Sequence, residues 1–155
     1  MKEFMSLIVL FTMSISLSAS EVTYSYVSFP KGNGFVDSFH ITDSNKLIQG
    51  DIVSEIYDCS SKDFYCTKNK LFTFALPSGV ISKPQSWLVA DLVFNYSNDS
   101  LIIFRGVSYP VMVVSSSDGN NFFYSSKYGL LALNRKGSDN GVIYLLSSSF
   151  GLFRK

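Results

Sequence analysis

After residue 20, the chain changes its hydrophobic pattern too often to form long helices. Short apolar runs, several of them alternating with polar residues, are separated by turn-forming sequences such as residues 77–79, 97–99 and 117–120. Alternation over short runs is typical of strands that are buried on one side. Serine, β-branched and aromatic residues dominate, so the helix propensity is low. The sequence predicts an all-β fold of about ten short strands, arranged as a single antiparallel sandwich or as a small barrel or meander.

Residues 1–20 have the features of a secretory signal peptide. The start is weakly positive, residues 4–17 are apolar or small, and small residues follow at 18–20. The alternative is a transmembrane anchor, but the apolar part is shorter than the roughly 20 residues of a membrane-spanning helix. We therefore predict an exported protein, periplasmic or extracellular, with a single β-rich domain over residues 21–155. We expect no stable membrane span once the leader is removed.

The two cysteines agree with export. Cys59 and Cys66 form the one available pair, and six residues separate them in a polar stretch. In an oxidising compartment, such a pair in a small domain predicts a disulfide, which contributes roughly 2.5 kcal/mol in the chain-entropy view. A redox pair is the alternative, but redox pairs usually have the spacing Cys-x-x-Cys.

Composition narrows the range of partners. Thirteen basic residues oppose 12 acidic ones, and charged residues make up 16% of the chain, so we expect no nucleic-acid partner. A single histidine rules out a histidine-rich metal site, and the short glycine pattern at 32–34 lacks the rest of a phosphate-binding loop. We predict neither a metal nor a cofactor.

Catalysis has few candidate residues. His40 is the sole histidine, and the chain has no Gly-x-Ser-x-Gly sequence. Asp91 stands out because it interrupts the apolar run 87–94, where a buried carboxylate would need a partner or a shifted pKa. A catalytic acid and a structural ion pair are the two interpretations of Asp91.

A hairpin register favours the structural interpretation of Asp91. If strands 87–96 and 101–105 are joined by the three-residue loop 97–99, Asp91 lies directly opposite Arg105. Residues opposed in this way are about 5 Å apart at Cβ, which is close enough for an ion pair. We therefore predict an Asp91–Arg105 pair rather than a catalytic carboxylate.

Aromatic residues and one internal echo are the remaining leads for binding. Residues 124–131 and 146–153 share the order apolar, Ser, Ser, any residue, aromatic, Gly, Leu, apolar. The two copies are either equivalent loops of one binding edge or two similar hairpin connections, with a glycine that lets the backbone bend. Aromatic side chains on strands either fill the core or form a binding surface, and we single out six: Trp87, Phe122, Phe123, Tyr124, Tyr128 and Phe150.

The leading functional hypothesis is an exported β-domain that binds a protein, such as an inhibitor or immunity-type partner of an envelope enzyme. A structural component of the envelope is one alternative. An enzyme acting on carbohydrate or cell-wall material is the other, and it would need acids that the sequence does not reveal. Binding is favoured over catalysis because the sequence contains no recognisable catalytic constellation.

Overall fold

The computed structural model describes residues 21–29, 37–81, 85–104, 106–135 and 142–154, and all regular structure in these ranges is β. No helix in this part of the chain could cross a membrane. The predicted leader, residues 1–20, lies outside the described residues. The described ranges contain thirteen strands: β1 Thr23–Phe29, β2 Ser38–Thr42, β3 Lys46–Gln49, β4 Ile52–Glu55, β5 Tyr57–Asp58, β6 Phe64–Lys68, β7 Thr73–Pro77, β8 Ser86–Val89, β9 Leu92–Phe104, β10 Val107–Ser116, β11 Asn121–Ser125, β12 Gly129–Arg135 and β13 Val142–Leu146.

The strands form two antiparallel sheets of unequal size. Ten strands make the large sheet, in the order β4-β3-β2-β1-β13-β12-β11-β10-β9-β8. The other three make a small sheet, in the order β5-β6-β7. The prediction of an all-β antiparallel fold is confirmed, but short strands such as β4 and β5 were not separated by sequence reading.

The large sheet curls around the small one. Phe39 of β2 packs against Phe72 with ring centroids 6.0 Å apart, and Trp87 Nε1 of β8 donates a hydrogen bond of 3.1 Å to the Ala75 carbonyl. β2 and β8 are seven strand spacings apart, about 33 Å in a flat sheet. Phe72 and Ala75 are three residues apart, about 10 Å at most. Side chains cannot bridge the difference between these two distances, so the large sheet must curve. We call the face of the large sheet that is turned to the small sheet the inner face.

Strand β7 lies in the middle of this arrangement. All five of its residues, Thr73–Pro77, are buried, although a strand covered on one side alone would bury every second residue. Phe74 stacks on Phe122 of the inner face at 4.6 Å and also contacts Tyr124 and Phe153. The core of the protein is therefore aromatic and centred on β7.

The disulfide lies at the edge of the small sheet. Cys59 and Cys66 are joined, with Cα atoms 4.8 Å apart, so the two cysteines have the proximity that the sequence predicted. Ser60 fastens the enclosed loop: its hydroxyl accepts from the Cys66 N–H at 2.8 Å and donates to the Cys66 carbonyl at 3.1 Å. The bridge therefore ties the chain between β5 and β6 to the start of the buried part of β6.

The predicted hairpin register around Asp91 is wrong. Ala90 and Asp91 form a two-residue turn between β8 and β9, with φ angles of 51° and 64° and Val89 opposite Leu92. Residues 97–99, expected as a loop, belong to the long strand β9, where the register against β10 shifts by one residue.

The cause of this error is local. An exposed aspartate tolerates the left-handed backbone of a type I′ turn, but the alanine before it gives no turn signal. Asp91 consequently sits at one end of β9 and the β9–β10 turn at the other, roughly 40 Å away along the strand. Arg105, the predicted partner of Asp91, lies outside the described residues.

Candidate functional site

A two-stranded arm extends from one side of the large sheet. β9 and β10 pair over ten positions, whereas β11 pairs with β10 over Met112–Ser115 and β8 pairs with β9 over Leu92–Asn95. Residues 100–104 and 106–111, which we call the arm, therefore have no neighbouring strand on either side among the described strands. The register shift between Val113 and Val114 marks a bulge at the base, and a bulge bends and twists a ribbon.

One side of the arm covers the outer face of the large sheet. Ile102 and Tyr109 are directly opposed on the arm and therefore point to the same side. Together with Phe104 they line a cavity of about 160 Å³, whose far wall includes Leu131 and Leu145 of β12 and β13. The arm thus folds back over the sheet rather than projecting straight into solvent.

Burial along β12 agrees with this position of the arm. Residues 129–133 are all buried, on both the inner and the outer face. Leu131 is the extra residue of a bulge opposite β11, where the register shifts between Phe123 and Tyr124. The core covers one side of β12, and the arm covers the other.

The opposite side of the arm is apolar and exposed. Leu101 and Ile103 keep 65% and 74% of their surface accessible, and Leu101 is opposed by the exposed Pro110. Neighbouring large apolar side chains that stay exposed to solvent are a feature of binding surfaces rather than of a folded core.

The two copies of the internal echo meet in space. The first copy contains the turn between β11 and β12. The second begins at the last residue of β13 and continues into the tail, residues 147–154. Leu130 N–H donates to the Leu152 carbonyl at 2.9 Å, and Gly151 N–H donates to the Tyr128 carbonyl at 2.7 Å. The interpretation of two hairpin connections is therefore wrong for the second copy. The second copy lies in a tail that crosses the first copy and is hydrogen-bonded to it.

The Tyr26 side chain forms hydrogen bonds to both the tail and β12. This side chain is fully buried, and its hydroxyl donates to the Leu130 carbonyl at 3.0 Å and accepts from the Leu152 N–H at 3.3 Å. Tyr124 adds a hydroxyl bond of 2.8 Å to the Phe153 carbonyl. Burial raises the pKa of Tyr26 well above its usual range and raises the pKa of Tyr124 to about 12.

Because of these two hydroxyls, we expect the free energy of unfolding to fall at alkaline pH. The unfolded chain releases tyrosine protons near pH 10, whereas the folded chain keeps them, so stability is complete below pH 10 and falls between pH 10 and 12. Each of the two tyrosine hydroxyls adds up to about 1.4 kcal/mol per pH unit to the slope with which the free energy of unfolding falls. We expect Tyr26→Phe to lower the free energy of unfolding by about 1–3 kcal/mol at pH 7 and to make the alkaline fall shallower. Urea unfolding followed by circular dichroism from pH 7 to 12 measures both, and equal slopes in the two proteins would contradict the assignment.

The catalytic candidates are not brought together. His40 Nδ1 lies 2.8 Å from Ser25 Oγ across β1 and β2, but hydrolysis by such a pair also needs a group that orients the histidine and donors for the oxyanion. Neither appears among the contacts of this pair in the described part of the chain. Asp91 is exposed in its turn, and within the described ranges no three His, Cys, Asp or Glu residues are close enough to hold a metal ion.

The predicted aromatic residues divide between core and surface. Trp87, Phe122 and Tyr124 are buried in the core, whereas Tyr128 lines the cavity. Phe150 is 40% exposed and lies under the Arg154 guanidinium at 3.6 Å. The arm was not predicted from the sequence. The uninterrupted apolar run 101–104 could have indicated it, because a strand with this sequence has apolar side chains on both sides.

No known protein family, curated protein or solved structure matches this chain.

Proposed function

We propose that the chain is an exported protein-binding module and that the outer side of the arm is its binding surface. The observation that carries the proposal is the exposure of Leu101 and Ile103 on the side of the arm that faces away from the large sheet. Anchors of this kind fill pockets on a partner and supply most of the binding energy. The partner that fits is an envelope protein, such as an enzyme inhibited by this module, with an apolar groove able to receive a β-ribbon.

Export is part of the proposal. Removal of residues 1–20 would leave β1, Thr23–Phe29, complete, and the Cys59–Cys66 bridge is compatible with an oxidising compartment. We expect N-terminal sequencing to show that the mature protein begins near Glu21. An intact Met1 on a membrane-bound form would contradict export of the mature domain.

A matched pair of variants tests the binding surface. Leu101→Asp with Ile103→Asp places two charges on the arm. Ile52→Asp with Val53→Asp places two charges on the edge strand β4, at positions that are also more than half exposed. Both proteins should fold, because all four side chains are more than half exposed. Capture from the envelope fraction, followed by affinity measurement with the purified partner, is expected to show at least tenfold weaker binding for the arm variant alone. Equal binding by the wild type and the arm variant would overturn the proposal.

A further inference from the structure

The cavity beneath the arm has the size and lining of a site for one aromatic ring. Its volume of about 160 Å³ is close to that of cavities of roughly 150 Å³ that bind benzene. Ile102, Phe104, Leu131 and Leu145 provide apolar walls. Tyr109 and Tyr128 meet edge to face at its side, with ring centroids 5.2 Å apart.

Charge and hydrogen bonding define the ligand further. The described residues that line the cavity carry no charge, and the Lys127 ammonium, 5.1 Å from the centroid of the Tyr128 ring, lies outside the lining. An ionic group between the apolar walls would therefore be desolvated. Ser147, Ser148 and Ser149 form a polar part of the lining. The Ser147 hydroxyl donates to the Ser25 carbonyl at 3.0 Å, and the Ser148 hydroxyl donates to the Phe150 carbonyl at 3.0 Å. Since the hydrogens of Ser147 and Ser148 are used on the main chain, the two oxygens can only accept from a ligand. Ser148 Oγ already accepts from the Ser25 N–H at 3.2 Å, so Ser147 Oγ is the more available acceptor.

We infer that this cavity binds a neutral aromatic ring that carries a hydrogen-bond donor, namely a phenol. The ring fills the apolar space between the arm and β13, and the phenolic O–H donates to a serine oxygen at the polar side. The source is either a free phenolic compound or the side chain of a tyrosine. The inference is separate from the binding surface on the opposite side of the arm, and it concerns the protein without any partner.

The position of the cavity couples the ligand to the arm. The arm has no neighbouring strand within the described sheet, and a lone two-stranded ribbon is marginally stable in water. Its contacts across the cavity therefore hold it in place, and a ring bound between arm and sheet adds contacts to both. A bound phenol should slow hydrogen exchange of the amides of the arm, including Ile102 and Tyr109.

Matched small molecules test the inference on the purified protein. We expect p-cresol to bind saturably at one site, with NMR shifts confined to the residues that line the cavity, and 4-methylanisole, which lacks the donor, to bind about two- to tenfold more weakly. Binding of N-acetyl-tyrosinamide as well as p-cresol would identify a tyrosine side chain as the natural occupant. Binding of p-cresol alone would identify a free phenol.

Two variants and a control locate the binding. Leu145→Phe fills part of the cavity and should reduce p-cresol affinity at least tenfold, while Ser147→Ala should remove much of the preference over 4-methylanisole. Leu88→Ala, an exposed position of β8 that does not line the cavity, should leave p-cresol affinity unchanged. Absence of saturable binding, equal affinity for the two compounds, or shifts away from the cavity would each overturn the inference. Because Ser147→Ala removes a single oxygen, it keeps the test decisive if Leu145→Phe does not fold.

Discussion

Gly151→Ala is expected to lower the free energy of unfolding by about 3 kcal/mol, because a methyl group has no space where the tail crosses β12. A Cβ atom on Gly151 would lie 2.0 Å from the Leu130 carbonyl oxygen and 2.8 Å from its carbonyl carbon. Both atoms belong to the backbone of a buried strand and cannot rotate away. Relief of the clash would require the tail to separate from β12, with loss of the Leu130–Leu152 and Gly151–Tyr128 hydrogen bonds.

Other glycines of the chain provide graded controls. Gly129→Ala should be as damaging as Gly151→Ala, since its φ is +80° and its Cβ would lie 2.3 Å from the Gly151 carbonyl oxygen. Gly106→Ala meets open space but keeps a φ of +76°, so we expect a cost of about 1–2 kcal/mol. Gly79→Ala has open space and no left-handed backbone, and should change stability by less than about 0.5 kcal/mol. Urea unfolding of the four proteins ranks them, and a Gly151→Ala protein as stable as Gly79→Ala would show that the tail is not strapped to β12.

Phe74→Ala is expected to be the most damaging side-chain truncation, with a loss of about 3–5 kcal/mol. Phe74 is fully buried at the centre of β7 and contacts rings of the inner face and of the tail, namely Phe122, Tyr124 and Phe153. Truncation therefore leaves a cavity that several rigid strands enclose, and these strands can close it only in part.

The same small sheet supplies the comparison for Phe74. Tyr57 of β5 keeps 66% of its surface exposed, so Tyr57→Ala should cost less than about 0.5 kcal/mol. Phe74→Leu should fall between the two, because it retains most of the apolar volume. Thermal unfolding with the disulfide intact measures the series. Similar melting temperatures for Phe74→Ala and Tyr57→Ala would place the core elsewhere.

Local chemistry explains what the sequence predicted well. Short alternating runs and frequent turns indicated antiparallel strands, and an isolated cysteine pair indicated the Cys59–Cys66 bridge. Both depend on neighbours along the chain. The turn at Ala90 and Asp91 was not predicted for the same reason. Alanine rarely adopts a left-handed backbone, and no neighbouring residue indicates that it does so here.

Long-range packing explains what the sequence could not predict. The echo suggested that Gly129 and Gly151 let the backbone bend, but their contact depends on a tail that returns to β12. The cavity is formed by side chains from the arm, the β11–β12 turn, two central strands and the tail. No pattern within one segment encodes such a meeting, because each segment alone looks like an ordinary half-buried strand.

The pairing of β1 with β13 has a consequence for the order in which the chain can fold. Tyr26 lies opposite Leu146, so the middle of the large sheet joins the first and the last of the described strands. The block β1 to β4 cannot join the rest of the large sheet until β13 has been synthesised, and closing so long a loop is slow. A chain interrupted before β13 would leave β1 and β12 as open edges prone to pair with other molecules. The large sheet is therefore completed only after β13 has been synthesised, later than the two meanders that it joins, β1–β4 and β8–β12.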